Sequence, residues 1–170
     1  MRKSSYHSML THHHRLVSLS IVSTDLPVWS DVQAIATIYQ RDQERFHLLL
    51  TEPKVAVDHE QRDQPSTQNQ PSTPRLLWLE MSPYRITMTM QGDGKLSYRH
   101  HWERGVYGIS RYWLQGGQAG LGSQLQLRNF TRRLNLDGKT LPERLHLEYE
   151  LWSDKIQLGS YVLNLDIQAD

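Results

Sequence analysis

The amino-acid sequence predicts an all-β protein whose strands form a single antiparallel β-barrel. Apolar and polar residues alternate along most apolar segments, and turn sequences such as Asp-Gly separate these segments. No capped apolar stripe with helical spacing occurs anywhere in the chain. Consecutive antiparallel strands must protect their edges, and closure removes the edges altogether, so we favour a barrel over a sandwich.

Period-two alternation places about ten strands along the chain. In residues 144–152, for example, Leu145, Leu147 and Leu151 share one face, while Glu148 and Glu150 share the other. The predicted strands are residues 14–23, 31–40, 45–53, 75–82, 84–91, 95–102, 106–115, 123–135, 143–152 and 156–168.

The segments between the predicted strands have sequences that are typical of β-hairpin turns. Asp-Gly occurs in "GDGK" at 92–95 and in "LDGK" at 136–139, and this dipeptide is preferred in tight hairpins. "ERG" at 103–105 is typical of a three-residue loop whose glycine takes a positive φ, and "WSDK" at 152–155 predicts another turn.

Domain organisation is simple, since 170 residues are enough for one domain with its own core. We expect a flexible tail at residues 1–12 and a barrel at 13–170. Residues 58–75 contain almost no apolar side chain and repeat Gln-Pro-Ser-Thr at 64–67 and 70–73. Such a segment buries too little surface to offset its ordering entropy, so it predicts a disordered loop inserted between two strands.

The composition of the chain excludes several kinds of site and several cellular locations. Cysteine is absent, which excludes disulfides, a thiolate nucleophile and a cysteine-ligated metal, and favours the cytoplasm. Neither a membrane-spanning apolar run nor a signal peptide is found, so we expect no membrane partner.

The charges are distributed unevenly. The net charge of +1 conceals a basic segment, 84–140, with nine Lys/Arg against three Asp/Glu, and an acidic segment, 141–170, with two against six. The two segments could pair with each other across a sheet, or the basic one could attract an acidic partner.

A family resemblance rests on three stretches, "YRITMTMQGDGKLSYRHHWERGVYGISRYWL", "SQLQLRNFTRRLNLDG" and "LHLEYELWSDKIQLGSYVLNLDIQ". The chain resembles the DUF1934 family of YwiB-like proteins over roughly residues 84–168. Shared features include a tyrosine near 112, the Tyr149–Leu151 element and the Leu158–Tyr161 element. "LQGGQAGLG" departs from the Thr-Pro-x-Gly turn of the family. The resemblance implies a calycin-like (lipocalin-like) barrel of about 8–10 strands from Gram-positive bacteria, and it implies no activity.

The most unusual stretch is "KLSYRHHWERGVYGISRYWL" at 95–114, which is rich in arginine, histidine and aromatic residues. A strand would turn Tyr98, His100 and Trp102 to one face, and Arg99, His101 and Glu103 to the other. Three interpretations stay open: a ligand pocket inside the barrel, an outer face that binds nucleic acid, and a purely structural wall.

No metal, cofactor or catalytic centre is predicted. The histidines at 12–14 fall in what we expect to be a frayed start, and His100 and His101 point to opposite faces. The glycines at 116–122 precede a strand, so they predict a turn and not a phosphate-binding loop. We found no nucleophile elbow, carboxylate pair or His-Asp set.

We therefore expect a non-catalytic barrel, a monomer or a homodimer, that binds a small, partly apolar or anionic ligand. The predicted ligand-binding residues are Tyr98, His100, Trp102, Tyr112 and Arg128. The alternative is an interaction module whose basic strands, 84–140, bind RNA or an acidic protein. An empty interior would favour the pocket, whereas a filled interior would favour the outer surface.

Overall fold

The structure is a computed structural model that describes residues 11–51, 75–92, 96–114 and 123–169. Four sequence expectations fall wholly or mainly outside these residues: the N-terminal tail, the inserted loop at 58–75, the "GDGK" turn at 92–95 and the glycine-rich segment at 116–122.

Ten strands make up the described secondary structure, and each one pairs antiparallel with its sequence neighbours. Because β1 also pairs with β10, from Val17 opposite Ile167 to Ser23 opposite Tyr161, the sheet closes into a barrel. The predicted all-β, calycin-like barrel is confirmed. The strands are β1 (His12–Ser23), β2 (Trp29–Gln40), β3 (Phe46–Thr51), β4 (Leu76–Met81), β5 (Arg85–Gln91), β6 (Leu96–Glu103), β7 (Tyr107–Leu114), β8 (Ser123–Asp137), β9 (Arg144–Ser153) and β10 (Ile156–Ile167).

The start of β1 differs from the sequence expectation. The histidines at 12–14 are not frayed, because they pair with residues 37–39 of β2. Cross-strand pairing on the barrel wall thus reaches the first residues of the strand.

Turn geometry follows the turn sequences. Gly105, at the β6–β7 hairpin, has φ +76°, as predicted for the last residue of "ERG". Asp154 takes φ +52° in the β9–β10 hairpin, a conformation that Asp tolerates better than most residues.

The inward positions of the strands form one continuous apolar core. Leu, Ile and Met fill most of it, as the alternation of β5, β9 and β10 predicts. The largest completely buried side chains are Trp102, Ile38, Leu48, Leu50, Leu79, Ile86, Met88, Leu134, Leu145, Leu147, Leu163 and Leu165. Inward-pointing side chains therefore fill the interior of the closed barrel.

Gly108 allows β7 to lie close to its neighbouring strand β6. A Cβ atom at this position would lie 2.0 Å from the carbonyl oxygen of His101 and 2.8 Å from Oδ1 of Asn129. Because a backbone oxygen held in a sheet cannot move freely, we expect Gly108→Ala to lower the free energy of unfolding by about 3 kcal/mol, measured by urea denaturation.

Gly105→Ala is the matched control for this prediction. No heavy atom lies within 4 Å of a Cβ at 105, so only the positive φ opposes the substitution, at about 1 kcal/mol. Equal losses for the two variants would contradict the steric explanation.

Candidate functional site

Four of the five predicted ligand-binding residues lie together inside the barrel. Tyr98, His100 and Trp102 of β6 point inward, and Tyr112 reaches them from β7. The rings of His100 and Trp102 stack with 4.8 Å between centroids and 2° between planes. Tyr112 meets the His100 ring edge-on at 5.4 Å. The predicted division of faces on β6 is confirmed, whereas the ligand-binding role of these residues stays a prediction.

Arg128 has to be separated from that group. It is exposed on the outer face of β8, where its guanidinium lies 4.9 Å from the ring centre of Tyr107 and donates to the carbonyl oxygen of Asp154. The inward positions on either side of it are taken by Leu127 and Asn129, both buried. The strand alternation therefore excludes Arg128 from an interior pocket.

A buried hydrogen-bond network fixes the inner aromatic residues. Nδ1 of His100 lies 2.7 Å from Oγ of Ser110, and Asn129 donates from Nδ2 to the same oxygen at 2.9 Å. Asn129 also donates to the carbonyl oxygen of His101 at 3.1 Å. Burial lowers the pKa of His100 to about 3, so the ring is neutral at pH 7. A neutral, sealed histidine fits a structural role better than proton transfer with a ligand.

Sequence reasoning missed Ser110 and Asn129. Both occupy inward positions that are apolar in most other strands, and this break in the pattern of β7 and β8 was available in the sequence. Three further buried atoms of this region have no protein partner in the described part of the chain: Nε1 of Trp102, Oδ1 of Asn129 and Oγ1 of Thr131.

The interior leaves little room for a ligand. His100 is 5% exposed and Trp102 is 0% exposed, so side chains occupy the space between them. A cavity of about 100 Å³ remains near one end of the barrel, lined by Leu19, Ile21 and Tyr98 among others. Sites for small molecules usually measure about 300–1,000 Å³, so this space is too small for most metabolites.

A larger concavity lies on the outer wall, across β3 to β6. It measures about 460 Å³, and we call it the outer groove. Its polar and charged lining consists mainly of Arg45, His47, Glu80, Arg85, Arg99 and His101. The outward positions of neighbouring strands bring these residues side by side, since His47 lies opposite Glu80 and Thr87 lies opposite His101.

Two arginines of the outer groove already have acidic partners. Arg45 forms an ion pair with Asp42, and Nη2 of Arg85 lies 3.6 Å from Oε2 of Glu103. Arg99 is different, because it forms no ion pair with any carboxylate in the described residues. It therefore supplies a positive charge that no carboxylate of the described residues neutralises.

The two histidines of the outer groove are uncharged at neutral pH. Burial, and secondarily the nearby Arg85, lower the pKa of His101, while burial lowers the pKa of His47. Nδ1 of His101 lies 2.9 Å from Oγ1 of Thr87. If the threonine donates to Nδ1, the ring proton is on Nε2, which is then a hydrogen-bond donor for a ligand.

Ion pairs between the basic and the acidic segment account for part of the uneven charge distribution in the sequence. Arg132 and Arg133 of β8 form ion pairs with Glu150 and Glu148 of β9, the strand that lies beside it. A bulge between Thr131 and Arg133 allows both arginines to face outward. The acidic C-terminal segment thus neutralises the last part of the basic segment, while the arginines of β6 and β7 form no ion pair with a carboxylate of the described ranges.

The described residues show neither a metal site nor a membrane-spanning helix. The described part of the chain contains no group of three or more His, Cys, Asp or Glu side chains placed to hold a metal ion. Nor does that part contain a helix of the length and hydropathy needed to cross a membrane.

Comparison with known proteins gives a fold relative. No protein-family model matches the chain, and no curated protein matches it. The crystal structure of the ywiB protein from Bacillus subtilis is similar, with a TM-score of 0.60 over 94% of this chain and 96% of that one. The two sequences are 11% identical over this alignment, so the likeness shows a shared fold.

Proposed function

We propose that this chain is a non-catalytic, cytoplasmic β-barrel that binds a small anionic ligand in the outer groove. The observation that carries the proposal is Arg99, an arginine without a carboxylate partner in the described structure, at the wall of a concavity of about 460 Å³. A guanidinium in a groove offers two parallel N–H donors to a carboxylate or phosphate.

The size of the two spaces supports the outer groove over the barrel interior. The interior cavity holds about 100 Å³, whereas the outer groove falls in the usual range of ligand sites. On this proposal the four inner aromatic residues stabilise the barrel: Tyr98, His100, Trp102 and Tyr112. Of these four, Tyr98 alone lines the interior cavity.

The neighbours of Arg99 favour an anion of modest charge. His101 and Thr87 contribute neutral hydrogen-bonding groups, and Arg85 adds a cation already shared with Glu103. Glu80 places one negative charge in the outer groove, close to His47. A dicarboxylate or a single phosphate group suits this lining better than a highly charged polyphosphate.

Family membership is part of the proposal. Two observations support it: the DUF1934 resemblance in residues 84–168 and the barrel shared with the ywiB protein. They are independent, because the first uses sequence motifs and the second uses the fold. We propose that the chain is a distant YwiB-like member of that family.

Isothermal titration calorimetry with citrate, phosphate and pyrophosphate tests the binding proposal. We expect one of these anions to bind the wild-type protein, and Arg99→Ala to weaken that binding at least about tenfold, because charge-assisted hydrogen bonds are lost. Arg99→Lys should restore part of the affinity by restoring the charge.

Arg144→Ala is the matched control. Arg144 is an exposed arginine on β9, across the barrel from the outer groove, and it forms an ion pair with Asp166 at 2.9 Å. Its removal should leave anion binding unchanged. Absence of heat with all three anions, or equal affinity in wild type and Arg99→Ala, would overturn the proposal.

A further inference from the structure

A row of arginines crosses the outer faces of β6, β7 and β8. Arg99 lies directly opposite Arg111, and Arg111 lies directly opposite Gln126. Arg128 follows two residues further along β8 on the same face. We call Arg99, Arg111 and Arg128 the arginine row.

Stability does not explain why Arg99 and Arg111 lie opposite each other. Like charges placed directly opposite on neighbouring strands destabilise a sheet. Neither Arg99 nor Arg111 forms an ion pair within the described residues, whereas the nearby carboxylates of Glu103 and Glu150 are paired with Arg85 and Arg132. A repulsive pair that no described carboxylate compensates is expected where an anionic partner supplies the missing charge.

Exposed aromatic rings lie beside the arginine row. Tyr107 and Trp113 are on the outward face of β7 with Arg111, and they are 57% and 37% exposed. The guanidinium of Arg128 already lies over the ring of Tyr107, at 4.9 Å. Tyr107 and Trp113 are six residues apart, which corresponds to about 20 Å along a strand.

We propose that this surface binds single-stranded nucleic acid. Guanidinium groups neutralise phosphates, and flat exposed rings stack on bases that are not already stacked in a duplex. An acidic peptide would use the arginine row but would leave the exposed ring of Trp113 without a function. A duplex would present its phosphates but hide its base faces.

This surface is distinct from the outer groove, although Arg99 borders both. The stacking residues and Arg111 lie on β7, outside the groove lining. Variants of Arg111 and Trp113 therefore test nucleic-acid binding without removing a residue of the proposed anion site, and anion binding measured on the same variants separates the two proposals.

Fluorescence anisotropy with a labelled 12-nucleotide oligouridine tests the proposal. We expect binding at 50 mM salt that weakens roughly tenfold or more at 200 mM, as neutralisation of about three phosphates requires. Arg111→Ala should weaken binding and make the salt dependence less steep. Trp113→Ala should weaken binding at least about fivefold with the same salt dependence, because stacking and not charge is removed.

The matched controls are Arg144→Ala and Trp29→Ala, an arginine and a tryptophan exposed on other walls of the barrel. Both should bind the oligonucleotide like wild type, and far-UV circular dichroism should show all four variants folded. Several results would overturn the proposal: no binding at 50 mM salt, unchanged binding in Arg111→Ala and Trp113→Ala, or tighter binding of an RNA duplex or of an oligoglutamate peptide.

Discussion

Replacing Trp102 with alanine is expected to lower the free energy of unfolding by about 3–5 kcal/mol. Trp102 is the largest completely buried side chain of the described structure. Its ring stacks on His100 at 4.8 Å and lies 4.9 Å from the ring of Tyr149. Alanine would leave a cavity between strands that cannot collapse, since the closed barrel holds each strand from both sides. Urea denaturation followed by circular dichroism measures the loss.

Two further variants make the Trp102 prediction specific. Trp29→Ala makes the same chemical change at a side chain that is 71% exposed, and should cost about 1 kcal/mol or less. Trp102→Phe should cost less than Trp102→Ala, because it retains an aromatic ring and removes an Nε1 donor that has no protein partner in the described structure. If Trp102→Ala and Trp29→Ala were equally stable, the filled interior would be contradicted.

Strands and their faces could be predicted because they depend on local chemistry. The alternation in 144–152 and 156–168 identifies β9 and β10, and the "ERG" sequence identifies the β6–β7 hairpin with its positive-φ glycine. Barrel closure followed from the need to cover edge strands, and the β1–β10 pairing meets that need. The strand and hairpin inferences use neighbours within a few residues, whereas closure follows from a general rule about exposed edges.

The position of Arg128 could not be predicted so reliably. Its face of β8 reads Gln124, Gln126, Arg128 and Phe130, which is neither polar nor apolar throughout. The opposite face contains Asn129, a polar residue that is buried because it bonds to Ser110 and to the backbone of β6. When buried positions are polar and outward positions aromatic, alternation alone does not show which face is inside.

The sequence also could not show whether the barrel interior is hollow or filled. Whether a barrel is hollow depends on the number of strands, their tilt and the sum of the inward side-chain volumes. Here the rings of Trp102, His100 and Tyr149 pack against one another in the interior and use the space that a ligand would need. The sequence names these residues but does not give the width of the barrel that they fill.

The arginines on the outer face of the barrel are of two kinds: some form ion pairs with neighbouring strands, and others have no carboxylate partner among the described residues. Arg132 and Arg133 form ion pairs with Glu150 and Glu148 on the neighbouring strand, so that this part of the basic segment stabilises the sheet. Arg99 and Arg111 face each other without carboxylates within the described residues. Since a structural wall would not need a repulsive pair, these two arginines are the residues where binding partners should be sought.

Acidification is expected to destabilise the protein through His100. Burial lowers the pKa of His100 to about 3 in the folded protein, whereas an unfolded histidine has a pKa of about 6.5. Below about pH 6.5 the unfolded chain binds a proton that the folded chain does not. Stability is therefore fully present above that pH and falls by about 1.4 kcal/mol per unit below it, or about 2 kcal/mol between pH 7 and pH 5.

The tyrosines around His100 do not offset this effect. Burial raises the pKa values of Tyr112 and Tyr149, so both stay uncharged at pH 5–7 and supply no negative charge to hold a histidine cation. His47 and His101 have lowered pKa values and act in the same direction as His100, while hydrogen bonding raises the pKa of His146, which acts in the opposite direction. These three contribute equally to wild type and to a His100 variant, so they cancel in a comparison.

His100→Gln isolates the contribution of His100, because glutamine keeps a hydrogen-bonding group near Ser110 but does not titrate. Urea denaturation at pH 7, 6 and 5 should show wild type losing about 2 kcal/mol more than the variant. Should the variant fail to fold, NMR titration of the wild-type imidazole provides the same information: its resonances should stay constant from pH 7 to pH 5. A His100 ring that titrates near pH 6.5 would mean that water reaches the aromatic residues, and the filled barrel would have to be replaced by an open one.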